Sequence, residues 1–71
     1  MNHDEIITFL EIIQQGSITK AATNLYISQG TASARIQSLE QQLGISLFYR
    51  QQGIRNITLT PQGEQFLKIA K

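Results

Sequence analysis

The residues best placed for chemistry lie in one stretch, Ser28 to Gln41, and they are neutral. If Ala32, Ile36, Leu39 and Leu43 form the buried stripe of a helix, about 100° per residue puts Gly30, Ala34, Gln37 and Gln41 opposite, flanked by Thr31, Ser33 and Ser38. Ser and Thr donate or accept, Gln can meet adenine with two hydrogen bonds, and Ala or a Thr methyl can touch the thymine methyl. Such a face suits the reading of base edges in a major groove. It is also what an ordinary solvated helix presents. Arg35 lies on its flank, suited to phosphate or to a guanine edge.

Catalytic and metal chemistry are not indicated. There is no cysteine, and His3 is the only histidine. No serine therefore has a second histidine to activate it, and no metal site is expected. The five glycines are dispersed rather than gathered into a phosphate loop. We expect no enzyme and no cofactor in this domain. The longest apolar runs are two or three residues, so no membrane span is expected, and the polar start Asn2-His3-Asp4-Glu5 lacks a signal-peptide pattern. A cytoplasmic location is the default expectation.

Net charge is +1 over 71 residues, which says little. Its distribution says more. Asp4, Glu5 and Glu11 precede position 16, whereas Ser17 to Ile57 holds Lys20, Arg35, Arg50 and Arg55 against Glu40 alone. Ordinary surface charge would account for this. So would a middle segment that faces phosphate while the first helix faces away.

The elements that must position these residues are legible. Asn2 to Gln15 reads as a helix with apolar residues at Ile6, Phe9, Leu10 and Ile13, a capping box from Asn2 to Glu5, and Gly16 as its end. Ser17 opens a short helix, Ile18 to Leu25, striped by Ile18, Ala21, Ala22 and Leu25. After Tyr26 and Ile27, Ser28 opens a third helix that ends at Gly44. The period then changes to two, predicting a short hairpin with its tip near Gln51 to Arg55 that must lean on the helices. Thr60-Pro61 restarts a helix carrying Phe66, Leu67, Ile69 and Ala70. Two short helices, the second starting with polar groups, form the helix-turn-helix pattern.

These residues also carry a family likeness. Gly16-Ser17-Ile18-Thr19-Lys20-Ala21-Ala22, Leu25, Ile27-Ser28-Gln29, Ser33, Arg35-Ile36, Leu39-Glu40, Leu43-Gly44, Leu47-Phe48, Arg50, Leu59-Thr60 and Gly63 keep an unbroken spacing over nearly the whole chain. The string resembles the N-terminal domain of LysR-type transcriptional regulators.

The resemblance implies a mainly α winged helix-turn-helix: three helices, a β-hairpin wing and the start of a linker helix. Residues 1–60 would be the DNA-binding domain, and 61–71 the start of the dimerising linker. Ser17 to Leu25 would be the supporting helix and Ser28 to Leu43 the recognition helix in the major groove of double-stranded DNA. The candidate contact set is Ser17, Lys20, Ser28, Gln29, Gly30, Thr31, Ser33, Ala34, Arg35, Gln37, Arg50 and Arg55. The wing near Gly53 to Arg55 would approach the minor groove, and Arg50 a phosphate. Phe66, Leu67, Ile69 and Ala70 would pair two chains into a homodimer. In the family a small-molecule effector acts through a larger C-terminal domain, so the chain is expected to be a fragment. It departs from many members at Gly30, where proline is common, and at Ala32 and Ala34, where larger residues are common. A protein-interaction module using the last helix is the alternative reading of the same elements.

Overall fold

Each helix starts where the sequence offers an oxygen to N–H groups that no preceding turn can satisfy. The computed structural model describes residues 2–49 and 58–70. Asn2 Oδ1 accepts from the Glu5 N–H at 2.8 Å, Glu5 Oε1 accepts from the Asn2 N–H at 3.2 Å, and α1 runs His3–Gln15. Ser17 Oγ accepts from the Lys20 N–H at 3.2 Å to open α2, Ile18–Asn24. Ser28 Oγ accepts from the Thr31 N–H at 3.0 Å to open α3, Gln29–Leu43. Thr60 Oγ1 accepts from the Gly63 N–H at 2.9 Å to open α4, Pro61–Ala70. All four caps are the ones expected from sequence, and α2 stops one residue earlier than expected.

The exits differ. Gly16 and Gly44 end α1 and α3 at φ 72° and 71°, where a residue without Cβ is unstrained. Between α2 and α3 the same left-handed position is filled by Tyr26, at φ 60°. Its N–H donates to Thr23 O, and the Ile27 N–H donates to Ala22 O at 3.0 Å. This pair of bonds forms a Schellman turn built without glycine, at a backbone cost of about 1 kcal/mol. The ring of Tyr26 packs on nothing, being 96% exposed.

The core gathers on α1, which packs against the other three helices. Phe9, Ile12, Ala21, Ala32, Leu39 and Leu47 are fully buried, with Ile36, Phe48 and Phe66 nearly so. Phe9 meets the Phe48 ring at 5.6 Å and the Phe66 ring edge-on at 5.2 Å. The expected α1 stripe needs correction. Ile6, Leu10 and Ile13 are only half-buried, while Glu5, Thr8, Phe9 and Ile12 form the inner line. Three packing neighbours bury a wider arc than one apolar stripe predicts. The polar members are satisfied, as the Thr8 hydroxyl donates to Asp4 O at 2.7 Å.

The base of the expected hairpin is present as an antiparallel bridge between Phe48 and Leu59. The Tyr49 N–H donates to Thr58 O and the Thr60 N–H to Leu47 O, each at 3.0 Å. Its expected tip, Gln51 to Arg55, lies outside the described residues. Thr60 is buried, and its hydroxyl donates to Ser46 O as well as capping α4. Glu40 Oε2 accepts from the Leu47 N–H at 2.7 Å. These bonds run from α3 through Leu47 and Thr60 into α4. Phe66, expected at a chain-pairing surface, instead fills the core because this tether turns its face of α4 inward. Leu67 and Ala70 pack partly against the core, and Ile69 alone of the four stays open, at 79% exposure.

Two glycines give opposite expectations. A Cβ on Gly63 would lie 2.3 Å from Leu47 O, so Gly63→Ala should cost about 2–3 kcal/mol in urea unfolding. A Cβ on Gly30 meets only Ser28 Oγ at 3.9 Å, so Gly30→Ala should add about 0.5–1 kcal/mol.

Candidate nucleic-acid interface

The two alanines of α2 are buried, and so is Ala32 of α3, which lets α3 seat closely in the fold. Ala32, Ile36 and Leu39 then face inward, and the opposite side is left to solvent. Ser28, Gln29, Gly30, Thr31, Ala34, Gln37 and Gln41 are all exposed, and Ser33 is half-buried. Lys20 is exposed on α2, and Ser17 is half-buried. The structure therefore brings Ser17, Lys20 and Ser28 to Gln37 into one helix-turn-helix unit. Arg50 and Arg55 lie outside the described residues.

Several candidates already have work within the protein. Ser17 and Ser28 accept from backbone N–H groups as caps. The Ser28 hydroxyl also donates to Thr31 Oγ1 at 2.9 Å. Arg35 is half-buried, and its Nη1 donates to Thr8 Oγ1 on α1 at 3.3 Å. It therefore ties α3 to α1, a role that its position on the helix flank did not announce. Sequence reasoning also left Thr19 out of the contact set. Its hydroxyl donates to Gln29 Oε1 at 3.1 Å, across the turn between the two helices. Only the periodicity of α2, which exposes Thr19 beside Lys20, hinted at that contact.

Glu11 and Glu5 act as struts between helices rather than as part of the exposed face. Glu11 Oε1 accepts from Gln15 Nε2 at 2.9 Å and from Asn24 Nδ2, which joins α1 to α2. Glu5 is 5% exposed and accepts from Gln42 Nε2 at 3.2 Å, which joins α1 to α3. Hydrogen bonds from Ser38, the Asn2 backbone and Gln42 hold its pKa below the ordinary 4.5, against the opposing effect of burial. The first turn of α3 contains no acidic residue. Among the described residues there is no cluster of three or more His, Cys, Asp or Glu side chains that could hold a metal ion. No helix among them is long and apolar enough to cross a membrane.

Comparison with known proteins bears directly on this geometry. The model of a family described as bacterial regulatory helix-turn-helix protein, lysR family, matches residues 3–64. The HTH-type transcriptional regulator YofA of Bacillus velezensis is 44% identical over 70 residues, covering 99% of this chain and 24% of that protein. The chain thus spans about a quarter of the length of the curated relatives it matches. Among solved structures, the CbnR DNA-binding domain in complex with DNA superposes with a TM-score of 0.90 at 33% identity, covering 99% of this chain and 78% of that one. The BenM DNA-binding domain with catB site 1 DNA gives 0.89 at 38% identity, covering 99% and 73%.

The Glu5 strut should be visible in acid. Its folded pKa lies below the unfolded value, so its contribution is complete above about pH 4.5 and is lost as pH falls through the folded pKa. Thermal melts over that range should show a steeper acid loss for the wild-type chain than for Glu5→Gln. Equal slopes would remove Glu5 from the linkage.

Proposed function

The chain belongs to the lysR family of bacterial regulatory helix-turn-helix proteins, and we propose that it serves as the sequence-specific double-stranded DNA-binding domain of a transcriptional regulator, with α3 in the major groove. The observation that carries this reading is the outer face of α3. It is exposed, small and neutral-polar from Ser28 to Gln41, on a fold that superposes on domains solved with DNA. A major groove about 12 Å wide admits one such helix. Gly30 and Ala34 keep the face low, so base edges can come close to the backbone. Lys20 supplies positive charge beside it, and no carboxylate in the first turn of α3 offsets the positive end of that helix. The function is binding, with no reaction step and no cofactor in this domain.

Two copies would read two half-sites related by a two-fold axis. We place their pairing on α4, where Ile69 is the large exposed apolar group among the described residues of that helix. With Phe66 spent on the core, that surface is smaller than the sequence suggested. An effector would act through a further domain, for which the greater length of the relatives leaves room. A protein-interaction role for α4 rests on the same exposed Ile69. Sedimentation separates the readings: an association weakened by Ile69→Lys supports pairing, and a monomer at all concentrations opposes it.

Titration of fluorescent duplexes over a range of salt tests the main reading. The affinity should fall steeply with salt, and Lys20→Ala should reduce the log–log slope by about 0.9 if that ammonium meets a phosphate. Gln29→Ala should cost about 1–3 kcal/mol of discrimination at one base pair. An affinity indifferent to both salt and sequence would defeat the proposal.

A further inference from the structure

We propose that Thr19 is a positioning residue for sequence reading: its hydroxyl fixes the amide of Gln29 so that the nitrogen, not the oxygen, leads into the groove. This rests on the DNA-binding reading above. Thr19 lies in the first turn of α2, and Gln29 is the first residue of α3. Ten residues apart, they meet across the helix-turn-helix junction, with Thr19 Oγ1 donating to Gln29 Oε1 at 3.1 Å.

Thr19 differs from the other helical threonines that bond locally. Thr8 and Thr23 donate back to the carbonyl four residues earlier, at 2.7 and 3.0 Å, which is the usual fate of a helical hydroxyl. For Thr19 the residue four back is Gln15, which ends the preceding helix, so α2 offers it no such carbonyl. Its hydroxyl turns to α3 instead.

An unheld glutamine amide can rotate to exchange its oxygen and nitrogen, which are nearly the same size. Either orientation can then meet a base edge, and discrimination is poor. A threonine hydroxyl can meet either end of the amide; here it donates to Oε1, which leaves the Nε2 hydrogens as the outward groups. The surrounding groups have the same sense. Ser28 donates to Thr31 Oγ1, which leaves the Thr31 hydroxyl proton to point elsewhere. The Gln29 and Gly30 amides head α3 with no acceptor among the described residues. The first turn of α3 is thus rich in donors and contains no carboxylate. Its complement in the major groove is guanine, whose O6 and N7 both accept. Adenine pairs best with a glutamine that presents oxygen and nitrogen together.

The test starts by selecting duplexes from a random-sequence library with the chain. The base pair whose preference disappears in Gln29→Ala marks the position read by Gln29. Affinity is then measured for that duplex and its variants at that one pair. Expected results are a G·C pair at the position and a preference lowered about three- to tenfold by Thr19→Val. Thr19→Ser should restore it, and Thr19→Val should add nothing in the Gln29→Ala background. Thr19→Val with an undiminished preference, an equal loss on every duplex, or effects additive with Gln29→Ala would each overturn the positioning role. So would a Gln29→Ala chain that keeps every preference. A selected A·T pair would overturn the amide orientation. If the unmodified chain selects no sequence and its affinity ignores salt, the DNA-binding reading itself fails, and this proposal with it.

Discussion

Phe9 sits where three separate parts of the chain must meet. Its ring contacts Phe48 from the base of the hairpin and Phe66 from α4, while Ile12, one turn on along α1, is also fully buried. A chain this short has room for one core and no disulfide to brace it. The fold therefore depends on α1 being buried along several sides at once. That need explains why Thr8 and Glu5 lie on its inner line, each with internal hydrogen-bond partners. It also explains why Phe66 is not available to a second chain.

The same economy shapes the outer face of α3. Serines that look like contact residues are first of all caps, and Arg35 is first of all a tie to Thr8. A side chain whose donors and acceptors are used within the protein meets DNA as a fixed shape. Gln29, Gly30, Thr31, Ala34 and Gln37 are exposed and uncharged, and of these Gln29 and Thr31 are themselves held, by Thr19 and Ser28. Affinity and discrimination then draw on different residues. Charge such as that of Lys20 attracts any duplex, while amides and hydroxyls held in set directions distinguish one duplex from another.

Much of the frame was legible because it is local. Asn2, Ser17, Ser28 and Thr60 cap helices through bonds spanning three residues, and Gly16 and Gly44 end helices through their own backbone freedom. The stripe Ala32, Ile36 and Leu39 follows from the helical period alone. Tyr26 was harder to see, since a tyrosine in the left-handed region carries no sequence signal of the kind that glycine does.

By itself, then, the sequence determined the helices, their caps and the neutral face of α3, because each depends on neighbours within a turn or two. Tertiary structure decided which of those residues remain at the surface. Arg35 was drawn to α1, 27 residues away, and Phe66 was drawn into the core by α4's tether at Leu47 and Gly63. Thr19 came to hold Gln29 only once α2 and α3 were packed. These pairings depend on where helices lie in space, and no periodicity within one helix encodes a distance to another.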